Sequence, residues 1–401
     1  MTRLALEGIK VVELATMVAG PYCSKMLADM GADVIKVESP KGDPARQVGP
    51  FPKSGPHPER SALFLYNNTS KRGVTLNLDV AEGFDALKRL IKWADVLIDG
   101  LPFQRLKNLE LDWEAISLLN PSIVYTSITP YGLTGPRAGV KGDELTLIHA
   151  GSLGNLLPTR VENIDRAPIK TGGYFVGYHG GLTAAVATLA AVLGQRTTGQ
   201  GRAVDISLYE VILAMQRVSI AGNRYQRSNW SRVPDRPPAM GRMETKDGYV
   251  VIGTPEDHHF IAFRELMGNP EWIAGKDWES LAYRTHHMMD VKNELEGWMR
   301  QQNKHDIHHR AAKMGIAVGP INTAPEVLAD EQYAARGYFT DVDHPEVGKH
   351  RYAGWPYQMS ATPAQVNRPA PLLGQHNQEV FCNELGYSAE EFKQLQLAGA
   401  I

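Results

Sequence analysis

Two stretches hold residues whose types and spacing could carry out chemistry. TGGYFVGYHGG (171–181) packs five glycines, two tyrosines and one histidine into eleven residues, with no acid among them. Glycines that dense ahead of a helical run mean that something approaches the backbone, or that the backbone bends unusually. Within it, His179 and Tyr178 are the side chains able to take part in a reaction. GPRAGVKGDEL (135–145) sets Asp143 and Glu144 side by side after a strand and a Gly-rich turn. A carboxylate there acts as a base or orients a substrate; equally well, it caps the helix that follows.

Other chemistry-bearing residues are more scattered. HDIHHR (305–310) puts His305 three and four residues before two more histidines, a spacing that suits a metal on one helical face. It reads more simply as a polar helix surface, and no metal is expected. His258–His259 and His286–His287 point to opposite sides of a helix and read more weakly still. Lys36, Lys41, Arg46, Lys71, Arg72, Arg137 and Lys141 lie near glycines, several just after strand ends. An α/β sheet binds ligands there, so these cations could grip a multiply phosphorylated cofactor; solvated surface charge is the alternative. There is no GxGxxG fingerprint after the first strand, no Walker A motif and no G-x-S-x-G elbow.

The elements that must position these residues alternate between strand and helix. IKVVEL (9–14) leads through MVAGP into a helix ending near Met30, and ADVIKVE follows as a second strand. VTLNL (74–78), a helix over 81–93, the strand ADVLIDG, a helix over 113–119 and the strand IVYTSIT repeat the pattern. This predicts an α/β fold, a Rossmann-like doubly wound parallel sheet. A Pro/Arg-rich link after Arg224 opens a differently textured region with the strand GYVVIGT, helices over 257–313, IAVGPIN and a helix at APEVLAD. The expected division is a large domain over 1–224, a small α+β domain over 225–330, and a segment 331–401 returning to the large domain.

Composition narrows the function classes. At 401 residues, 43% hydrophobic and net charge −2, the chain has the make-up of a globular protein, with no basic footprint for nucleic acid or anionic membrane. Cys23 and Cys382, far apart, form no disulfide framework. MTRLALEGIKVVEL carries no signal-peptide pattern, and no apolar run reaches bilayer length. A cytoplasmic location is expected.

Nine stretches, in order and in register, resemble the class III CoA-transferases (CaiB/BaiF family) over essentially the whole chain. They are LEGIKVVELATMVAGP, LADMGADVIKVESPKGDPAR, SKRGVTLNLDVAEG, ADVLIDG, NPSIVYTSITPYGLTGP, TTGQGRAVDISLYE, TKDGYVV, GIAVGPI and RPAPLLGQH. The resemblance implies an interlocked dimer and a coenzyme A thioester as substrate, together with a carboxylic acid. It also implies CoA contacts at Val18, Ala19, Gly20 and Pro21, at Lys71, Arg72 and Lys141, and at Gly100 and Leu101. The sequence departs from the family at Ser39, where an arginine is common, and at Asp99-Gly100-Leu101, where Glu-Asn-Phe is usual.

Family transferases use an aspartate as covalent nucleophile, chemistry that a hydroxyl or amide cannot replace. Counting back without gaps from TTGQGRAVD, that position falls on Gly177, and Phe175, Val176, Tyr178 and His179 supply no acid. Glu144 matches an acid common in the family; Asp143, His149 and His179 are its possible companions. Three readings follow. The chain is the non-nucleophilic subunit of a heteromeric CoA-transferase of the succinyl-CoA:aromatic-succinate type, its homologous partner carrying the aspartate. Alternatively it is a homomeric acyl-CoA isomerase, epimerase, lyase or hydrolase using Glu144 or a histidine as acid or base, with Glu144, Asp143 and His179 as the candidate catalytic residues. The third reading is a CoA-ester-binding protein without catalysis.

Overall fold

The computed structural model describes residues 4–158, 165–227, 241–254 and 256–401. The chain divides into two compact units, Met1–Asn155 with Ile169–Asn229 and Gly337–Ile401, and Leu156–Pro168 with Trp230–Arg336.

The first unit is built on six parallel strands: β1 Lys10–Leu14, β2 Asp33–Glu38, β3 Arg72–Thr75, β4 Val96–Asp99, β5 Val124–Thr129 and β6 Arg202–Ser207. Their order is β3-β2-β1-β4-β5-β6. β1 lies between β2 and β4, so the chain winds outward in both directions from the β1/β4 pair, the topological switch point. Strands β1 to β5 are buried nearly throughout, because helices cover both faces; this is why they read as continuous apolar runs. On one face Val11, Val34, Ile98 and Val124 meet Cys23 and Leu27 of α1 (Ala19–Asp29) and Ala184 of a long helix described below. α2 (Ala62–Asn67) precedes β3. On the other face Val12, Ile35, Leu97 and Tyr125 pack with Leu87 and Leu90 of α3 (Ala81–Trp93). Next come α4 (Phe103–Asn108) and α5 (Trp113–Leu119), whose Ile116 joins the same core.

The predicted strand at 74–78 instead spans Arg72–Thr75. Its continuation leaves the sheet because the amide of Asn77 donates to the carbonyl of Ala400, in the C-terminal tail. β5 is followed by α6 (Glu144–Ala150) and α7 (Phe175–Thr198), and β6 by α8 (Leu208–Met215) and α9 (Arg217–Gln226).

The second unit holds the antiparallel sheet β7 (Arg242–Thr245), β8 (Gly248–Gly253) and β9 (Ala317–Pro320). Its helices are α10 (Asp257–Leu266), α11 (Leu281–His287), α12 (Lys292–Met299), α13 (Lys304–Lys313), α14 (Ala324–Ala329) and α15 (Glu331–Ala335). Val250, Phe260, Phe263, Met299 and Ile307 form its core. The chain then contributes the hairpin β10 (Phe339–His344) and β11 (Gly348–Ala353), a π-helical turn at Glu379–Glu384, and α16 (Ala389–Leu397) to the first unit.

Candidate active site

Two loops meet at the switch point. After β1, residues 15–18 turn into α1, with Met17 in the left-handed region at φ +64. A Cβ on Gly20 would stand 2.1 Å from that of Ala15, so only glycine lets this turn fold back on itself. After β4 comes Gly100, whose Cβ position lies 3.0 Å from the Ala15 Cβ. The fold thus brings Val18, Ala19, Gly20 and Pro21 to one side of the crevice that an α/β sheet uses for ligands, and Gly100 and Leu101 to the other.

Asp99 closes the second loop from below. It is 1% exposed, and it accepts hydrogen bonds from the Leu101 amide at 2.9 Å and from Tyr125 Oη and Ser127 Oγ, each at 3.2 Å. Burial pushes its carboxyl up to about 7, against the pull of those three donors.

The glycine-dense stretch is not a loop over a ligand. α7 begins at Phe175, so Gly177, Gly180 and Gly181 lie inside a helix. A Cβ on Gly181 would meet the Ala19 carbonyl at 2.5 Å and Tyr22 Cβ at 3.1 Å. The glycines therefore let α7 press against the N-terminal end of α1. α7 is long and apolar enough to cross a membrane, which corrects the expectation that no run reaches that length. Half of that stretch is buried in the protein, as befits a core helix.

Glu144 enters from α6. Its Oε1 accepts the Gly177 amide at 2.8 Å and its Oε2 the Val176 amide at 3.0 Å, so it caps α7 from another helix. Asp143 is the N-cap of its own helix: Oδ1 accepts the Thr146 amide at 2.8 Å, and Thr146 Oγ1 accepts the Asp143 amide at 2.8 Å. This capping box, exposed to solvent, gives Asp143 the helix-cap role that the sequence allowed. His179 donates Nδ1–H to the Phe175 carbonyl at 2.8 Å and lies against the Phe175 ring. Tyr178 packs edge-on against Tyr22, ring centroids 4.9 Å apart. His149 abuts Gly154, whose absent side chain makes room for the imidazole.

The basic residues separate into two kinds. Lys71 Nζ is fully buried and donates to Glu13 Oε2, the Pro21 carbonyl and Asn68 Oδ1, each at 2.8 Å. All three ammonium protons are spent inside the protein. Arg72 pairs with Asp33, Glu379 and Glu384. Arg46 takes Glu38 through two hydrogen bonds and also pairs with Glu59. Lys36 bonds Glu13 and the Ala15 carbonyl and faces Asp43 at 2.9 Å. The expectation that Lys36, Arg46, Lys71 and Arg72 meet phosphates gives way to internal pairing. Lys41, Arg137 and Lys141 are exposed, and Arg137 lies over Tyr131 and Tyr209.

In the second unit, His308 Nδ1 bonds the Val318 carbonyl and His305 faces Glu326, which separates them. Among the described residues, Glu256, His258 and His259 bring metal-capable atoms within 4.8 Å of one another.

The chain matches known proteins over nearly its whole length. The profile of CoA-transferase family III covers residues 6–377. The chain belongs to this family. It is 30% identical to succinyl-CoA–D-citramalate CoA-transferase of Chloroflexus aurantiacus, over 98% of this chain and 96% of that one. It is also 30% identical to the BbsE subunit of succinyl-CoA:(R)-benzylsuccinate CoA-transferase of Thauera aromatica, over 95% of each. A CaiB/BaiF family protein from Brucella suis has the same fold: TM-score 0.85, 29% identity, 96% of this chain and 100% of that chain. For this family III chain, the residues that sequence reasoning missed are Glu13 and Asp43. Their signal was an acid on a strand and another beyond a strand end, each able to pair with a nearby lysine.

Proposed function

We propose that this chain is the non-nucleophilic subunit of a heteromeric CoA-transferase that moves CoA between succinyl-CoA and a dicarboxylic or aromatic dicarboxylic acid, in an interlocked dimer with a homologue that carries the aspartate. The observation that supports it is Gly177. The position has no side chain, and a Cβ there would lie 2.9 Å from both Cβ and Cγ1 of Val18, so the packing has closed around glycine. The nearest carboxylate, Glu144, holds two backbone amides and would have to release them before attacking a thioester. Relatives of this chain named as subunits include the BbsE protein and a beta subunit of succinyl-CoA–L-malate CoA-transferase from Chloroflexus aurantiacus.

The test is CoA exchange from succinyl-CoA to benzylsuccinate and to other dicarboxylates. The purified chain alone should give no exchange above background, and a complex with a co-expressed homologue that keeps the aspartate should be active. Exchange by the chain alone sinks the subunit reading. Deuterium uptake at the α-carbon of a bound acyl-CoA, abolished by Glu144→Gln, would instead support acid–base chemistry at Glu144.

A further inference from the structure

The turn that carries Val18 to Pro21 is held by four buried charged side chains. Lys36 Nζ donates to the Ala15 carbonyl at 2.9 Å. Asp43 Oδ1 accepts the Met17 amide at 3.0 Å, and Lys71 Nζ donates to the Pro21 carbonyl at 2.8 Å. Glu13 ties the lysines together, Oε1 taking Lys36 and Oε2 taking Lys71, each at 2.8 Å. All four side chains are at most 2% exposed. Charges this deep add little net stability over apolar residues of the same volume. What apolar residues cannot do is bond the Ala15 carbonyl and the Met17 amide, which belong to neither strand nor helix, and the Pro21 carbonyl in the first turn of α1. Met17, left-handed and without glycine's freedom, sits between two of those bonds. Such a conformation persists only where its surroundings over-determine it.

We propose that Glu13, Lys36, Asp43 and Lys71 are positioning residues that fix the 15–21 turn in the shape that receives the CoA thioester. The proposal rests on the CoA-binding part of the reading above. None of the four reaches the ligand; Lys36, Asp43 and Lys71 act through their bonds to the backbone of Ala15, Met17 and Pro21, and Glu13 acts through the two lysines.

The test compares buried lysines by the same substitution. Lys25 lies on α1, is 3% exposed, and pairs with Asp29 and Thr69 without touching the turn. Calorimetric titration of the full chain with free CoA should show Lys36→Met and Asp43→Ala weakening binding at least tenfold. Asp43→Asn, which keeps the acceptor for Met17, should recover most of it, and Lys25→Met should stay within about twofold of wild type. Hydrogen exchange of the peptide spanning 15–22, without ligand, should accelerate in Lys36→Met and not in Lys25→Met. The proposal is overturned if Lys36→Met binds CoA as wild type does, or if affinity falls with thermal stability alike in both lysine variants. Should wild type fail to bind CoA, the CoA reading is what falls, and the exchange contrast still decides whether the four residues hold the turn.

Discussion

Asp99 ends β4 with a carboxyl that burial favours in its neutral form. Its acidity is about 7 in the folded chain against 3.8 unperturbed, so as pH rises the unfolded state gives up this proton first. The folded state then binds more protons than the unfolded one, and stability falls between those two values before levelling off. Asp99→Asn removes this titration while preserving an acceptor for the Leu101 amide. In urea denaturation, the variant's advantage over wild type should grow by roughly 3 kcal/mol from pH 5 to pH 8. A gap that does not change with pH would show that Asp99 stays ionised throughout. The sequence exposed Asp99 as a departure from the family pattern, and counting back from TTGQGRAVD put the expected nucleophile position on Gly177. It could not show that Lys71 and Arg72 are internally paired, because the carboxylates they meet are 58, 39, 307 and 312 residues away along the chain.

At the scale of elements, the α1–α7 contact decides how closely α7 approaches the turn that carries Val18 to Pro21. Within this contact Gly181 meets backbone: an added methyl would lie 2.5 Å from the Ala19 carbonyl oxygen, which cannot move without shifting α1. Gly297 in α12 is the opposite case, with no atom within 4 Å of the same position. Gly181→Ala should therefore destabilise by about 1–3 kcal/mol through overpacking. Gly297→Ala should stabilise by about 0.5–1 kcal/mol through the helix preference for alanine. Denaturation midpoints read both; equal and positive effects would mean that α7 has room to withdraw. Strand–helix alternation was legible because the 2.0 and 3.6 periodicities are local: α3 and α5 begin and end where the pattern predicts. The helical state of Phe175 to Gly181 was not, because glycine has poor helix propensity and only the partner helix explains its presence. α16 went unread for a similar reason, since its start depends on a capping box between Ser388 and Glu391 beyond the Pro-rich tail.

The whole molecule inherits a consequence from the outer side of α7. Leu182, Val186 and Leu193 are 47%, 63% and 70% exposed, and their spacing places them within about 40° of one another around the helix axis. Gly181, Ala184, Ala185 and Thr188 turn the other side into the core. A helix that is apolar on both sides is fully buried in its working state, and an uncovered apolar stripe marks a surface that meets another chain. The subunit pairing proposed above would cover this stripe, which runs along the middle and C-terminal half of α7. Val186→Lys combined with Leu193→Lys puts two charges on the stripe without touching the core face. Native mass spectrometry should find the wild-type chain as a dimer, or paired with its homologue, and the double variant as a folded monomer. Circular dichroism that matches wild type is the check on folding. A double variant that keeps the dimer mass would place the subunit contact elsewhere, and α7 would then owe its apolar outer side to some other covering.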